Sequence, residues 1–586
     1  MKKVALLMQA KDADSAVSSL RKLGVVHVKH QQPPKGADIN SLHDELALLA
    51  QASGILSSAE YSKDPRAKTD QDLGDWKFAC QHIIDAQKRL ERLDEYSRMM
   101  NNMISRWQAW GDFNPQDLQE MAGKGVYIRL YSLPAKEINN LPKDVIVKKI
   151  SAVRGIINCA VVSRKMVEIP FKEVIPPKIS LKDMRARLAE DTQTMKAIKE
   201  EISRFSSFHK EFLHIGDSLR SRLEFHQALR GMGLTGEIAY LTGFVPHDMV
   251  ESLQEAARQQ RWGIVVDDPA DDERVPTLIR NPRWVSIISP IFKMIEVVPG
   301  YHEFDISLWV LVFLSIFFGM LIGDAAYGAI FFALTLLAQL KWGSKLSDKS
   351  VFILFYLFSL CAVAWGVLTG TFFGQEWLPQ TVQPLLPALR NSRNIQVLCF
   401  FLGAAHLSIA HLWRLIVKAP SLTALSEAGW ISVLWGAFFL AKTLIIGDNF
   451  PAFGKWFFIV GPVLVVFFTS FRKNIFKGIG AGLGSLLLNF VNTFTDVVSY
   501  IRLFAVGLAT VAIADSFNKL ALSIGFNSVI SGAATALILL LGHSLNILLG
   551  PMGVLVHGVR LNVLEFCNHI DVKWSGFRYN PLREAA

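Results

Sequence analysis

The chain has 586 residues, 51% of them hydrophobic and 19% charged, with a formal net charge of +10. The charges are unevenly placed: residues 1–300 hold 43 Lys/Arg and 39 Asp/Glu, and residues 301–586 only 18 and 12. This excludes a disordered chain, a disulfide-built mini-protein and a single water-soluble globule, and leaves room for about three or four domains.

The first elements alternate strand and helix. Val4–Met8 reads as a strand, Asp14–Leu23 as a helix and Val25–Lys29 as a strand. The apolar run after Met1 is too short for a signal peptide, so this half is expected to stay in the cytosol. Residues 41–110 are polar with recurring apolar positions, clearest as a helix over Asp75–Trp110. Gly125–Leu130, Val145–Ile150 and Asn158–Ser163 read as short strands. Leu181–Leu229 is a long charged helical stretch with an apolar stripe from Leu188 to Ile215, spaced to bury one face on another helix. A strand at Ile238–Val245, a helix at Met249–Gln260 and a strand at Gly263–Val266 follow. The fold class predicted for residues 1–300 is an α+β dumbbell. A proximal α/β lobe (1–40 and 233–300) and a distal α/β lobe (111–180) are joined by an antiparallel coiled-coil arm (41–110 and 181–232).

Residues 301–586 read as an all-α membrane domain of eight helices with a short cytosolic tail. The charge-poor stretches are 306–322, 325–340, 351–373, 395–413, 425–446, 456–471, 478–518 and 523–567. Most approach the ~20 residues that cross a bilayer. An even number puts both termini on one side. With the N-terminus inside, the inner side carries Lys341, Lys345, Lys349, Arg414, Lys418, Arg472, Lys473, Lys477, Lys573, Arg578 and Arg583. The outer side carries Arg390, Arg393, Lys442, Lys455 and Lys519, an asymmetry that predicts cytoplasmic N- and C-termini. The last two stretches are about twice the length an upright crossing needs. They either tilt or project.

Function is expected where charge survives inside these stretches. Arg502 stands mid-span, where an arginine costs roughly 2.5 kcal/mol or more and cannot shed its proton. It must face a carboxylate or a water-filled path. Asp496 is six residues away, about 120° round the helix, a poor geometry for a direct bridge. Ser499 shares the Arg502 face. His557, Arg560 and Glu565 form a second group in the last stretch. His543 reads as a hydrogen-bonded packing residue. His406 and His411, five apart, are poorly placed to share a metal. Asp324 at a hairpin turn, Glu427 at a helix start and the Asp515/Lys519 pair suit structural roles. The five cysteines lack a CxxC pair, and the glycines at 478, 480, 482 and 484 lack the Lys-Ser/Thr of a phosphate loop. No metal, cofactor or nucleotide site is predicted.

At these residues the chain resembles subunit I of bacterial and archaeal V/A-type ATPases, the equivalent of vacuolar subunit a. Ser499-Tyr500-Ile501-Arg502-Leu503-Phe504-Ala505 is similar to the family's SYxRLfA segment. Val556-His557-Gly558-Val559-Arg560-Leu561, with Glu565-Phe566, is similar to its VHxxRLxxxEF segment. Phe318–Gly328 matches its first-hairpin motif, as specific a match as the Arg502 segment, and Leu241–Pro246 resembles its less specific GWVP stretch, with Phe for Trp. The resemblance implies a non-catalytic stator subunit in a prokaryotic inner (cell) membrane. It would couple proton or sodium movement to ATP hydrolysis or synthesis. The implied partners are a proteolipid c-ring, E/G-type peripheral stalk subunits at the distal lobe, a d/C-type central-stalk cap subunit and the lipid bilayer, with no nucleic acid. Arg502 would face the ring carboxylate, supported by Arg560, with Ser499, Asp496, His557, Glu565, Tyr500 and His543 as half-channel or supporting residues. The sequence departs from eukaryotic relatives at Gly550 and Thr510, and in the insert Asp571–Trp574. The competing reading is a secondary ion-coupled transporter, for which broken helices and an internal repeat are expected.

Overall fold

The computed structural model describes residues 1–584 apart from 59–73, 143, 154, 166, 168, 345, 347, 375–383 and 470–474. The expected inner charges Lys345, Arg472 and Lys473 therefore lie outside the described residues. The chain divides into two compact units, one of residues 2–267 with 581–586, the other of Met1 with 268–580.

In the first unit, strand β1 (Lys2–Gln9), helix α1 (Ala13–Leu23) and strand β2 (His27–Lys29) open the chain. Val4, Leu6 and Met8 alternate into the core of β1, where they meet Ala16, Val17 and Leu20 of α1. Gly24 ends α1 at φ +64°, a conformation glycine takes without strain. Helices α2 (Ala37–Ser57) and α3 (Trp76–Trp107) follow. Then α4 (Pro115–Gly123) precedes the antiparallel sheet of β3 (Tyr127–Pro134), β4 (Ile146–Val153) and β5 (Ile156–Ser163), in the order β3-β5-β4.

The chain returns through α5 (Leu181–Arg204) and α6 (His209–Arg230). The single long helix expected over 181–229 is interrupted by a 3₁₀ turn at Phe205–Phe208. Ser206 and Ser207 weaken the helix there, Ser207 Oγ donating to Arg204 O at 2.8 Å. Phe208 and Phe212 turn into a core shared by α2, α3, α5 and α6, with α5 against α3 and α6 against α2. Strands β6 (Gly233–Thr235), β7 (Ile238–Val245) and β8 (Gly263–Asp267), with α7 (Val250–Gln260), complete the first sheet in the order β2-β7-β1-β8, with β6 on β7. The C-terminal tail rejoins this unit: Leu582 is buried in its core and donates its N–H to Val26 O at 2.9 Å.

The second unit begins with α8 (Ser289–Met294) and is otherwise helical. Helices α9 (Ser307–Ile322), α10 (Ala325–Trp342), α11 (Ser350–Thr369), α12 (Ser392–Lys418), α13 (Ala424–Ile446) and α14 (Gly454–Phe468) run in chain order. Then come α15 (Ile475–Ser499), α16 (Ile501–Ile524), α17 (Val529–Gly553) and α18 (Cys567–Ile570). Among the described residues six helical runs are long and apolar enough to cross a membrane, and α9 and α14 are shorter apolar helices. The two longest runs are Gly482–Ile524 and Val529–Ile570. The first extends past the expected 518, and the second begins at Val529 instead of 523. Gly525 at φ +68° ends α16, and Ser528 starts α17 with a reciprocal capping box.

The turn between α9 and α10 fixes the centre of this unit. Gly323 takes φ +69°, and Asp324 Oδ1 accepts the N–H groups of Ala326 and Tyr327 at 2.8 and 3.1 Å. Its other oxygen accepts Gly374 N–H at 2.8 Å. Around this hairpin, Leu314, Phe317 and Leu321 pack with Leu407, Tyr500 and Leu503.

Candidate functional site

Arg502 stands one residue past a break in the helix. Tyr500 interrupts the run between α15 and α16 and is fully buried, its hydroxyl 2.8 Å from His406 Nδ1. The break leaves the Ser499 carbonyl free to accept from Arg502 Nε at 3.0 Å. The guanidinium Nη2 then meets Glu565 Oε1 at 2.7 Å. Arg560 Nε is 3.6 Å from that same oxygen.

Glu565 is therefore shared by two arginines, Arg502 from α16 and Arg560 from its own helical run. Its side chain is 6% exposed, against 25% for Arg502 and 54% for Arg560. Two cations on one carboxylate leave a net positive charge in an apolar helical unit, which is costly unless a further anion or water faces it. Two π-helical turns, Val554–Gly558 and Leu561–Phe566, flank Arg560 in the otherwise α-helical run. Such turns insert an extra residue and re-aim the side chains beyond them. His557 lies on the first and makes none of the Arg502 or Glu565 contacts.

Asp496, six residues before Arg502, bonds elsewhere. Its Oδ2 is 3.1 Å from His569 Nε2. His569 Nδ1 is 2.9 Å from His411 Nε2, and His411 Nδ1 is 2.7 Å from Glu427 Oε2. Arg414 Nη2 lies 3.2 Å from Glu427 Oε1, and Lys418 Nζ also pairs with that oxygen. Four helical segments thus build one line of polar groups: α15 supplies Asp496, α18 His569, α12 His411 and α13 Glu427. Side-chain exposure is 5% for His411, 2% for Glu427 and 8% for His569. A polar cavity of about 700 Å³ runs beside the line and touches Asn489, Asn492, Thr495 and Asp571.

Glu427 was expected to have a structural role at its helix start, and His411 was expected not to share a metal with His406. The signal that does find them is an ionisable residue inside an apolar stretch. Spacing along one helix cannot find them, because His411 and His569 are 158 residues apart. Asp515 does pair with Lys519, at 2.6 Å.

His543 belongs to a different cluster. Its Nδ1 is 2.7 Å from the Tyr327 hydroxyl, to which Asn546 Nδ2 donates at 3.2 Å, and Asn546 also donates to Thr510 O at 2.8 Å. A second cavity, of about 280 Å³, is lined by Gly323, Thr369, Arg390, Leu503, Phe504 and Gly507 among others. Along the α15–α16 run one cavity touches residues 489–496 and the other 503–511. Arg502 falls between them.

No protein-family model matches the chain. Curated relatives do. V-type ATP synthase subunit I of Borreliella burgdorferi is 29% identical over 100% of this chain and 99% of its own length. V-type ATP synthase subunit I 1 of Treponema pallidum is 29% identical with the same coverage. A-type ATP synthase subunit I of Methanocaldococcus jannaschii is 23% identical over 64% of this chain and 59% of its own. The full-length homologues of the chain are thus named as subunits I of V-type ATP synthases.

Proposed function

We propose that this homologue of the V/A-type ATP synthase subunits I is the membrane stator of a rotary ATPase. It lies against a ring of ion-carrying subunits and lets ions pass only as the ring turns. The observation that carries this is Arg502, a permanent cation inside a membrane-length helical run, with a separate cavity on either side of it along the helix, the larger one lined by polar groups. In this role Arg502 attracts each arriving ring carboxylate, favours its ionised form and so drives release of the bound ion. The two cavities are the two half-channels. Because they lie on opposite sides of Arg502, an ion entering by one cannot leave by the other without travelling on the ring.

Arg560 and Glu565 hold the guanidinium in place, and Ser499 fixes its Nε. The Asp496–His569–His411–Glu427 line belongs to the inner half-channel, because Arg414, Lys418 and Asp571 beside it are on the expected cytoplasmic side. Tyr327, His543, Asn546 and Thr510 belong to the outer side. The return of Leu582 to the core of the N-terminal unit supports cytoplasmic placement of both termini and hence an even number of crossings, eight when α9 and α14 are counted. The subunit hydrolyses no nucleotide itself. The distal sheet and α4 are the expected seat of the peripheral stalk, and the β1-centred sheet that of the central-stalk cap.

Arg502→Ala in the reconstituted complex tests the assignment. ATP-driven ion pumping is expected to disappear while the complex still assembles. Normal pumping by that variant would mean that the chain is not the stator described.

A further inference from the structure

We infer that the buried His411–His569 pair carries one excess proton between Glu427 and Asp496, making this histidine line a path for protons and not for sodium ions. This rests on the stator reading and adds to it a selectivity device within the stator chain, separate from whatever the ring selects.

The inference comes from counting protons. The line has four groups and three close contacts: Glu427 to His411 at 2.7 Å, His411 to His569 at 2.9 Å and His569 to Asp496 at 3.1 Å. Each contact needs one hydrogen between its two heavy atoms. Two ionised carboxylates bring none and two neutral imidazoles bring two. One contact is then left with two lone pairs facing each other in a buried site, which is costly. A single additional proton fills all three contacts.

That proton has two end positions. In one, Glu427 Oε2–H donates to His411 Nδ1, His411 Nε2–H to His569 Nδ1, and His569 Nε2–H to the Asp496 carboxylate. When each hydrogen moves to its acceptor, Glu427 is ionised, both imidazoles have changed tautomer and Asp496 carries the proton. Three N–H or O–H bonds break, three form, and one positive charge has crossed from Glu427 to Asp496. Both rings return to their starting tautomers only when the proton goes back, or when each ring gives its Nδ1 hydrogen to water in the adjoining cavity and takes one from water on Nε2, so the line passes protons one at a time.

A sodium ion cannot pass through the histidine contacts. Hard cations take oxygen ligands, and two imidazole nitrogens facing each other at 2.9 Å leave no place for one. At the Glu427 end, Arg414 and Lys418 already satisfy the second carboxylate oxygen. The same two cations favour the ionised form of Glu427 and so push the excess proton toward the histidines and Asp496. The Arg414 guanidinium also donates to the His569 backbone carbonyl at 3.0 Å, which fixes that residue's main chain, and the Trp430 ring lies nearly parallel to His411 at 6.3 Å. The cavity of about 700 Å³ touches both rings. Water there delivers and removes protons, and the space admits a free imidazole molecule.

The test uses the complete ATPase reconstituted in vesicles. The wild-type complex is expected to acidify them with ATP in sodium-free buffer. His569→Gln keeps a polar side chain but cannot relay, and is expected to lower acidification at least about tenfold. His569→Ala should fall equally and recover severalfold when imidazole is added. Should the His569 variants fail to assemble, His411→Ala with imidazole decides the matter in the same way. The proposal is overturned if the wild type drives sodium uptake that a protonophore leaves intact. It is overturned equally if His569→Gln pumps normally, or if the assembled alanine variant loses pumping without imidazole rescue. Arg502→Ala separates the two levels. Its loss of pumping without imidazole rescue leaves the stator reading standing whatever the histidines do, and its normal pumping removes that reading first.

Discussion

Arg502 Nη2 and Glu565 Oε1 are 2.7 Å apart, so the chain supplies its own carboxylate to the arginine expected to meet a carboxylate on the ring. In the stator reading Glu565 is the counter-ion between encounters, and Arg502 must loosen from it as each ring carboxylate arrives. Glu565→Gln removes that competitor and leaves two guanidiniums with no anion. Breaking a buried ion pair from one side costs about 3–5 kcal/mol. ATP-driven pumping is expected to drop by about tenfold or more, while ATP hydrolysis in detergent, where coupling is relaxed, survives. Pumping at wild-type rate would show that Glu565 is not the resting partner.

Arg560 holds a weaker position. Its Nε is 3.6 Å from Glu565, and its side chain is over half exposed. With one partner so exposed and the contact so long, the pair is worth about 0–1 kcal/mol. Arg560→Ala should therefore reduce pumping by roughly two- to fivefold, well short of Arg502→Ala. A loss as complete as that of Arg502→Ala would give Arg560 a direct contact with the ion path.

Both arginines could be named from the sequence, because a permanent charge in an apolar stretch has few structural uses. The strands of both lobes were also legible, as alternating runs such as Val4, Leu6 and Met8 bury one face. What the sequence did not reveal depends on contacts between distant segments. The Asp496 carboxylate pairs with His569 from the last helix, and His411 with Glu427 from the next one. Tyr500 belongs to the motif, yet the motif carries no sign of the interruption there or of the hydroxyl's contact with His406, 94 residues away. The 3₁₀ turn at Phe205–Phe208 was hidden for a related reason. Its apolar spacing continues the helical stripe while the two serines interrupt the backbone.

The insert Asp571–Trp574 has a clear structural partner in Glu303. That carboxylate accepts from Gly300 N at 2.8 Å, Trp574 N at 3.1 Å and Ser575 Oγ at 2.8 Å. Burial raises its pKa, but these hydrogen bonds outweigh burial and bring it below the ordinary 4.5. A depressed folded pKa gives stability that is full above the unfolded value and is lost as pH falls through the folded one. The anchor of residues 574–575 is thus expected to hold above about pH 4.5 and to loosen below it. Glu303→Gln should make limited proteolysis after residue 570 faster at pH 7, with little further change on acidification. A variant as resistant as the wild type would rule out the anchor.

Close helix approach around the site rests on glycine. A Cβ on Gly507 would stand 2.4 Å from the Met320 carbonyl, a backbone atom that cannot swing aside. Gly507 is five residues past Arg502 and lines the smaller cavity, so α16 reaches α9 only because this position has no side chain. Gly507→Ala must push the two helices apart, with an overpacking cost of about 1–3 kcal/mol. The shift moves Arg502 with its helix, and a 1 Å misplacement can cost about a hundredfold where geometry governs the chemistry. The expected result is a complex that still assembles, melts at a lower temperature in detergent and pumps poorly. Gly532→Ala is the control: it meets a single side-chain atom at 3.6 Å, an ordinary contact, and should behave as the wild type. Equal behaviour of the two variants would show that the α9–α16 spacing does not set the position of Arg502.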